Sequence, residues 1–415
     1  MADKREFDLV LYGATGFVGK LTAQYLAKNA PTARIALAGR SLDKLKAVRE
    51  DLPGPAANWD VIVADSNDQA ALDAMAKRTR VVVTTVGPYA RYGLAMVRAC
   101  AENGTHYADL TGETLFVRDC IDQFHSVAVQ TGAKIVNSCG FDSVPSDLSV
   151  YLTYLKSLQD NTGELEETTL VASLRGGVSG GTIDSARAQM EALAEDPSLR
   201  KVAGSPYSLS PDRSQEPDLG RQSDFALQRA DSIDPSLRGW VTSFVMASYN
   251  TRVVRRSNAL LGWAYGKNFR YREVMSVGNS LLSPVIAAGV TGGIITAFTL
   301  GALVARGPGK QLLDRVLPKP GTGPSEDARD NGWFRMQTFT KTSSGAKYLT
   351  TFAAQGDPGY KATAVMLGEC GLALALDGDK ISELAGVLTP GTVFGETLAE
   401  RLRKARFTIT VERKQ

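Results

Sequence analysis

Of the 415 residues, 43% are hydrophobic and 22% charged, a globular balance that excludes a disordered, collagen-like or multi-span membrane chain. The 47 basic and 44 acidic side chains leave a net charge of +3, which gives no support for nucleic-acid binding. At one domain per ~150 residues the chain holds two or three, and four cysteines with no Cys-x-x-Cys pair, beside two histidines, make no zinc pattern.

The first ~150 residues alternate strand and helix signals. Phe7–Gly13 is an apolar run ending in glycine, and Phe17–Lys28 has helical spacing. Arg34–Arg40, Asp60–Asp65, Val81–Gly87, His106–Leu110 and Lys134–Gly140 read as further strands, with helices at about 42–50, 68–78, 93–103 and 114–131 between them. Such alternation predicts an α/β fold, a doubly wound parallel Rossmann sheet covered on both faces. After ~155 the rhythm changes. Thr168–Leu174 reads as a strand, Thr182–Glu195 as a helix and 204–237 as loop; Trp333–Thr342 and Lys347–Gln355 read as antiparallel strands. A helix at about 360–377, another at about 392–404 and a strand Phe407–Glu412 close the chain. The N-terminus, Met-Ala-Asp-Lys-Arg-Glu, shows no apolar signal region, so the expected location is cytoplasmic.

Val285–Ala305 carries no charge. It reaches the ~20 residues of a membrane span, but its glycines and threonines are mild, and basic residues flank both ends (Arg270 and Arg272; Arg306, Lys310 and Arg315), against the charge bias of a single span. Three readings stand: a helix buried in a core or homodimer interface, a patch in peripheral contact with the inner face of the cell membrane or with a greasy substrate, and, least favoured by that charge bias, a single span.

The first βα turn reads Gly13-Ala14-Thr15-Gly16-Phe17-Val18-Gly19. Gly13 permits the tight turn, Gly16 admits a pyrophosphate to the backbone, and Gly19 lets the helix pack on the sheet. The helix N-terminus offers free N–H groups and a positive dipole. Thr15, Phe17 and Val18 complete the candidate phosphate site. Where an NAD site carries an acidic residue, the second strand ends in Arg40-Ser41, which suits the 2′-phosphate of NADP. Asp65 follows the third strand and either bonds the adenine amino group or caps the next helix. The turn Val86-Gly87-Pro88-Tyr89 is expected beneath the cofactor, Gly87 giving close approach and Pro88 stiffness.

These motifs, with His106–Glu113 and Cys139–Asp147, resemble the saccharopine dehydrogenase-like oxidoreductases. Within that group, Val178–Thr182, Asn250–Tyr265, Pro318–Ser325 and Gly386–Pro390 look most like the trans-acting enoyl reductases of polyketide-derived lipid (phthiocerol and phenolphthiocerol type) synthesis. The resemblance implies a Rossmann domain (1–155), an inserted domain with a mixed or antiparallel sheet (156–358), and a C-terminal segment (359–415) returning to the first. It also implies reduction of an α,β-unsaturated acyl thioester by NADPH, the acyl chain presented by a carrier protein of a polyketide synthase.

No tyrosine is followed four residues later by lysine, so the Tyr–Lys pair of short-chain dehydrogenases is absent. Proton donors must come from strand ends: Tyr89, His106, Tyr107 and Asp109, or Asp142 and Ser143. Position favours Tyr89 and Asp142 as the catalytic pair; Glu113 and Asp142 can alternatively cap helices. Ser179-Gly180-Gly181-Thr182 offers N–H groups to a carbonyl oxygen, or simply begins a helix. Two other functions fit the residues: a saccharopine-type amino-acid dehydrogenase using Arg252, Arg255 and Arg256 for a carboxylate, and a non-catalytic NADP-binding scaffold at lipid.

Overall fold

The computed structural model describes residues 5–176, 180–304 and 323–414. The strands β1 (Phe7–Tyr12), β2 (Ile35–Gly39), β3 (Asp60–Val63), β4 (Thr79–Thr84), β5 (His106–Ala108) and β6 (Lys134–Val136) enter one sheet. β7 (Leu165–Arg175), β8 (Leu227–Arg229), β9 (Trp240–Ser243), β10 (Arg270–Ser276), β11 (Trp333–Thr342) and β12 (Lys347–Gln355) enter a second. β13 (Gly386–Leu388) goes back to the first and β14 (Thr408–Lys414) to the second.

The first sheet is parallel throughout, in the order β13-β6-β5-β4-β1-β2-β3. Its inner strands are buried without alternation, as β1 shows from Phe7 to Tyr12; this is the pattern of a sheet covered on both faces. The chain leaves β1 toward β2 on one side and returns as β4 on the other, so the crevice between β1 and β4 is the topological switch point where such sheets bind ligands.

The second sheet is mixed, ordered β14-β12-β11-β7-β10-β9-β8. The hairpin Trp333–Thr342/Lys347–Gln355 is there, antiparallel, as expected. The segment from 359 onward divides: helix Thr363–Leu376 and β13 serve the first sheet, but β14 pairs antiparallel with β12 in the second. That corrects the expectation that 359–415 returns wholly to the Rossmann layer. The cause is packing, since Ile409 is buried in the core shared by both sheets and β14 covers the ladder edge of β12.

That core joins the layers. Leu9 and Val83 of the first sheet, Leu367 and Cys370 of the helix, and Phe334, Phe352 and Phe407 of the second unit belong to one buried cluster. Helix Thr363–Leu376 lies so close to β1 and β4 that a Cβ on Gly371 would fall 2.5 Å from Val83 and 2.9 Å from Leu9. Helix Val144–Gln159 spans the two layers, with its Thr153 hydroxyl 2.6 Å from that of Thr350 on β12. All four cysteines are buried and unbridged.

The uncharged segment is a helix, Ser283–Val304, while Ala305 lies outside the described residues. It rests on β9, where Thr242 donates to the Ala287 carbonyl at 3.0 Å. Among the described residues no helix is long and apolar enough to cross a membrane. Ser283 and Ala287 at the start of Ser283–Val304 are buried, but Val285 and Ile286 there are exposed, as are Leu281 (99%) and Leu282 just before it.

Candidate active site

The glycine turn sits at the switch point. Thr85, just past β4, donates its N–H to the Tyr12 carbonyl (3.0 Å) and its hydroxyl to the Gly13 carbonyl (3.0 Å), tying the two strand ends. Gly13 has φ +87°, and a Cβ there would meet Thr85 and Val86 at 2.8 Å. A Cβ on Gly19 would stand 2.2 Å from the Gly13 carbonyl oxygen, so the helix Phe17–Asn29 touches the turn backbone to backbone. Gly16, at the N-cap, is exposed; no side chain caps this helix and no acidic residue occupies its first turn. The orphan N–H groups and the dipole are therefore left for an anion. These residues fit a dinucleotide: two glycines are sterically required, and the third leaves the phosphate position open. Thr15, Phe17 and Val18 are partly exposed around it. Phe17 is backed edge-on by Tyr360 (5.0 Å) and by the Arg329 guanidinium (5.3 Å).

At the end of β2, Arg40 is exposed, and Ser41 occupies the N-cap of helix Leu42–Glu50 without a side-chain cap bond. Both stand where a 2′-phosphate would be recognised. A groove lined by Thr15, Lys20, Lys44 and Asp51 runs beside the turn. Its two lysines add positive charge that the sequence reading missed; the signal was Lys44, four residues after Arg40 in the first turn of the next helix. Asp65 is exposed, and its carboxylate accepts from the N–H (2.9 Å) and amide (3.1 Å) of Asn67. Asp68, not Asp65, caps the following helix through Ala71 N–H.

The second half of the site is built by the turns after β4, β5 and β6. Gly87 and Pro88 lead into the short helix Tyr89–Tyr92. Tyr89 is buried; its hydroxyl donates to the Thr84 carbonyl (3.2 Å) and accepts from Leu110 N–H (3.1 Å). Burial, then the Asp109 charge, hold its phenol well above its usual range. Tyr89 is thus a brace between two strand ends, its proton committed to backbone. Glu113 caps the Tyr89 helix rather than its own, accepting from Tyr89 N–H (2.9 Å), Ala90 N–H (2.8 Å) and the Ser185 hydroxyl (2.6 Å).

Asp109 is wholly buried and accepts four hydrogen bonds, from Thr111 and Ser138 N–H, Asn137 and the Tyr107 hydroxyl. Burial still outweighs them and pushes its carboxyl up to about 6. Asp142, after β6, differs. It is partly exposed, caps no helix, and makes no hydrogen bond among the described residues. Desolvation, then the nearby Asp109 charge, raise it to about 7. Tyr249, from helix Ala247–Leu260, lies beside this group and bonds to the Ser138 hydroxyl.

Other candidates lie elsewhere or are spent. His106 begins β5, at the amino end of the parallel strands and so away from the glycine turn at their carboxyl end, and its Nδ1 accepts from Lys134 N–H (3.1 Å). Arg252 pairs with Asp224, Arg255 donates to the carbonyls of Tyr271 and Pro206, and Arg256 to those of Leu209 and Val387. All three are buried with these terminal donors turned to protein groups, while the Nε of each has no partner among the described residues. Of Ser179–Thr182, Ser179 lies outside the described residues, and Gly180 N–H donates to the Tyr360 hydroxyl at 3.0 Å.

A dinucleotide cradle at the switch point of a parallel sheet, with a carboxylic acid raised toward neutrality after another strand of that sheet, marks a Rossmann-type oxidoreductase. The saccharopine dehydrogenase NADP binding domain family matches residues 9–136. A Mycobacterium tuberculosis protein provisionally named a trans-acting enoyl reductase is 54% identical over 415 residues, covering 99% of each chain. The trans-acting enoyl reductase of Mycobacterium ulcerans is 50% identical over 413 residues, again 99% of each. The chain belongs to the trans-acting enoyl reductases, a family with a saccharopine dehydrogenase-type NADP-binding domain. Apo saccharopine dehydrogenase from Saccharomyces cerevisiae superposes with a TM-score of 0.54 at 13% identity, over 98% of this chain and 99% of that one; this likeness shows a shared fold.

Proposed function

We propose that this protein saturates an α,β-unsaturated acyl thioester with NADPH, with Asp142 as the proton donor. The observation that carries the reading is the Asp142 carboxyl, unpaired and held near neutral pH at the carboxyl-end edge of the parallel sheet. NADPH, when bound, supplies the hydride that goes to the substrate β-carbon. The chain's residues do the rest. Gly13, Gly16 and Gly19 admit and orient the pyrophosphate, and Arg40 and Ser41 take the 2′-phosphate. Asp142 holds a proton and gives it to the α-carbon, ending as a carboxylate. Tyr89 and Glu113 hold the turn after β4 in place beneath the nicotinamide position. The named activity of the relatives supports the reaction class. An acyl chain carried by a polyketide-synthase carrier protein, in lipid synthesis, is the substrate form we favour; the exposed apolar start of helix Ser283–Val304 suits a greasy partner.

The test uses NADPH deuterated at the transferable position and carrier-bound enoyl thioesters of several chain lengths, read by mass spectrometry. Deuterium at the β-carbon is expected. For Asp142→Asn, kcat should fall by about 10²–10⁴. In the wild type, kcat/KM should fall tenfold per pH unit as pH rises above about 7, the raised value of the donor. No transfer despite measured NADPH binding would overturn the reading.

A further inference from the structure

Ser143 occupies the N-cap of helix Val144–Gln159, where serine ordinarily accepts a hydrogen bond from its own helix. Here it makes no such bond. Its hydroxyl instead donates to Asn250 Oδ1, 3.1 Å away across 107 positions of chain. Asn250, wholly buried on helix Ala247–Leu260, donates through Nδ2 to Glu273 Oε2 on β10 (2.9 Å) and to the Ser146 hydroxyl (3.2 Å). Glu273 is buried in turn and accepts from the Tyr271 hydroxyl at 2.7 Å. The amide gives its NH₂ to Glu273 and Ser146 and its oxygen to Ser143. A local capping rule is broken, and the hydroxyl so released is spent on a contact with the second unit, on the residue next to Asp142. Such breaks concentrate at functional sites.

We infer that Asn250, oriented by Glu273, is a positioning residue for the reaction: through Ser143 it fixes the turn that carries the Asp142 carboxyl. This rests on the reading of Asp142 as proton donor. The anchor matters because that carboxyl has no hydrogen bond of its own among the described residues, so only its backbone places it. The second sheet thereby sets the position of an acid that the first sheet's turn carries.

The test is a double-mutant cycle on the full chain, with a carrier-bound enoyl thioester that the wild type reduces. Ser143→Ala removes the anchor hydroxyl and little else. It should lower kcat about tenfold, with KM and the NADPH Kd within about twofold, the pattern of a lost contribution to the chemical step. The looser turn hydrates Asp142 better, so the falling limb of kcat/KM should move to lower pH by about half a pH unit or more. The titratable groups within reach of Asp142 are Asp109, Tyr89 and Tyr249; the substitution leaves all of them in place. Ser143→Thr, which keeps the hydroxyl, should restore rate and limb. In an Asn250→Ala background, Ser143→Ala should have no further effect. If that background fails to fold, the Ala/Thr comparison at Ser143 decides alone. An unchanged rate and limb in Ser143→Ala overturns the positioning role. A limb that persists in Asp142→Asn overturns Asp142 as donor and this inference with it; a limb lost in Asp142→Asn but unmoved in Ser143→Ala overturns this inference alone.

Discussion

Alanine at Gly16 and alanine at Gly19 should fail in opposite ways, because the two glycines answer different demands. A Cβ on Gly19 would lie 2.2 Å from the Gly13 carbonyl oxygen and 2.9 Å from the Ala14 Cα. Both are backbone atoms that no rotamer change can move. Ordinary contact needs roughly 1 Å more, so the helix must lift off β1, and overpacking of this kind costs about 1–3 kcal/mol. A Cβ on Gly16 meets only the Gly13 carbonyl oxygen, at 3.3 Å, and φ −72° suits alanine. Replacing an N-cap glycine there should cost under about 1 kcal/mol, since the entropy gained in the unfolded chain offsets the poorer cap. Its methyl, however, projects where the pyrophosphate must approach. Losing one or two charge-assisted hydrogen bonds at about 1.5–3 kcal/mol each weakens NADPH by roughly ten- to a thousandfold or more. Urea denaturation and NADPH fluorescence titration separate the two. Gly19→Ala should lose denaturation midpoint, while Gly16→Ala should keep it and lose affinity. A Gly16→Ala protein that bound NADPH as the wild type does would refute the phosphate site at this helix.

Arg40→Asp should weaken NADPH by about 10–100-fold, the worth of a charged hydrogen bond, and leave NADH binding unchanged or tighter; equal loss of both cofactors would remove Arg40 from the 2′-phosphate. Asp147 is buried, accepts from Gly391 N–H at 2.6 Å, and is raised by burial to about 6. The folded state therefore holds a proton that the unfolded chain gives up near pH 4, so this group's contribution falls as pH rises from about 4 to about 6. Holding the carboxyl at about 6 rather than near 4 corresponds to about 3 kcal/mol. Relative to wild type, Asp147→Asn should gain stability by about that order between pH 4 and pH 7 in urea titrations; a pH-independent difference would refute the raised value.

The β–α alternation of the first ~150 residues, the switch-point glycine turn and the Arg40-Ser41 ending were legible because they are local: periodicity, turn chemistry and helix termini are written in neighbouring residues. The steric demands on Gly13 and Gly19 were readable from their spacing in the turn. What the sequence could not assign were contacts made at long range. β14 reads as a strand either way, and only the open edge of β12 decides that it joins the second sheet. Tyr89 follows a strand end as expected, yet its hydroxyl donates to the Thr84 carbonyl. Arg252, Arg255 and Arg256 look like an anion site until burial commits them to Asp224 and to backbone carbonyls. Asp142 and Glu113 were equal candidates as helix caps. Tertiary structure made Glu113 the cap of a helix 23 and 24 positions back and left Asp142 unpaired beside the Asp109 charge. Proton affinity depends on burial and on which charges lie near, and those are fixed only when distant turns are brought together.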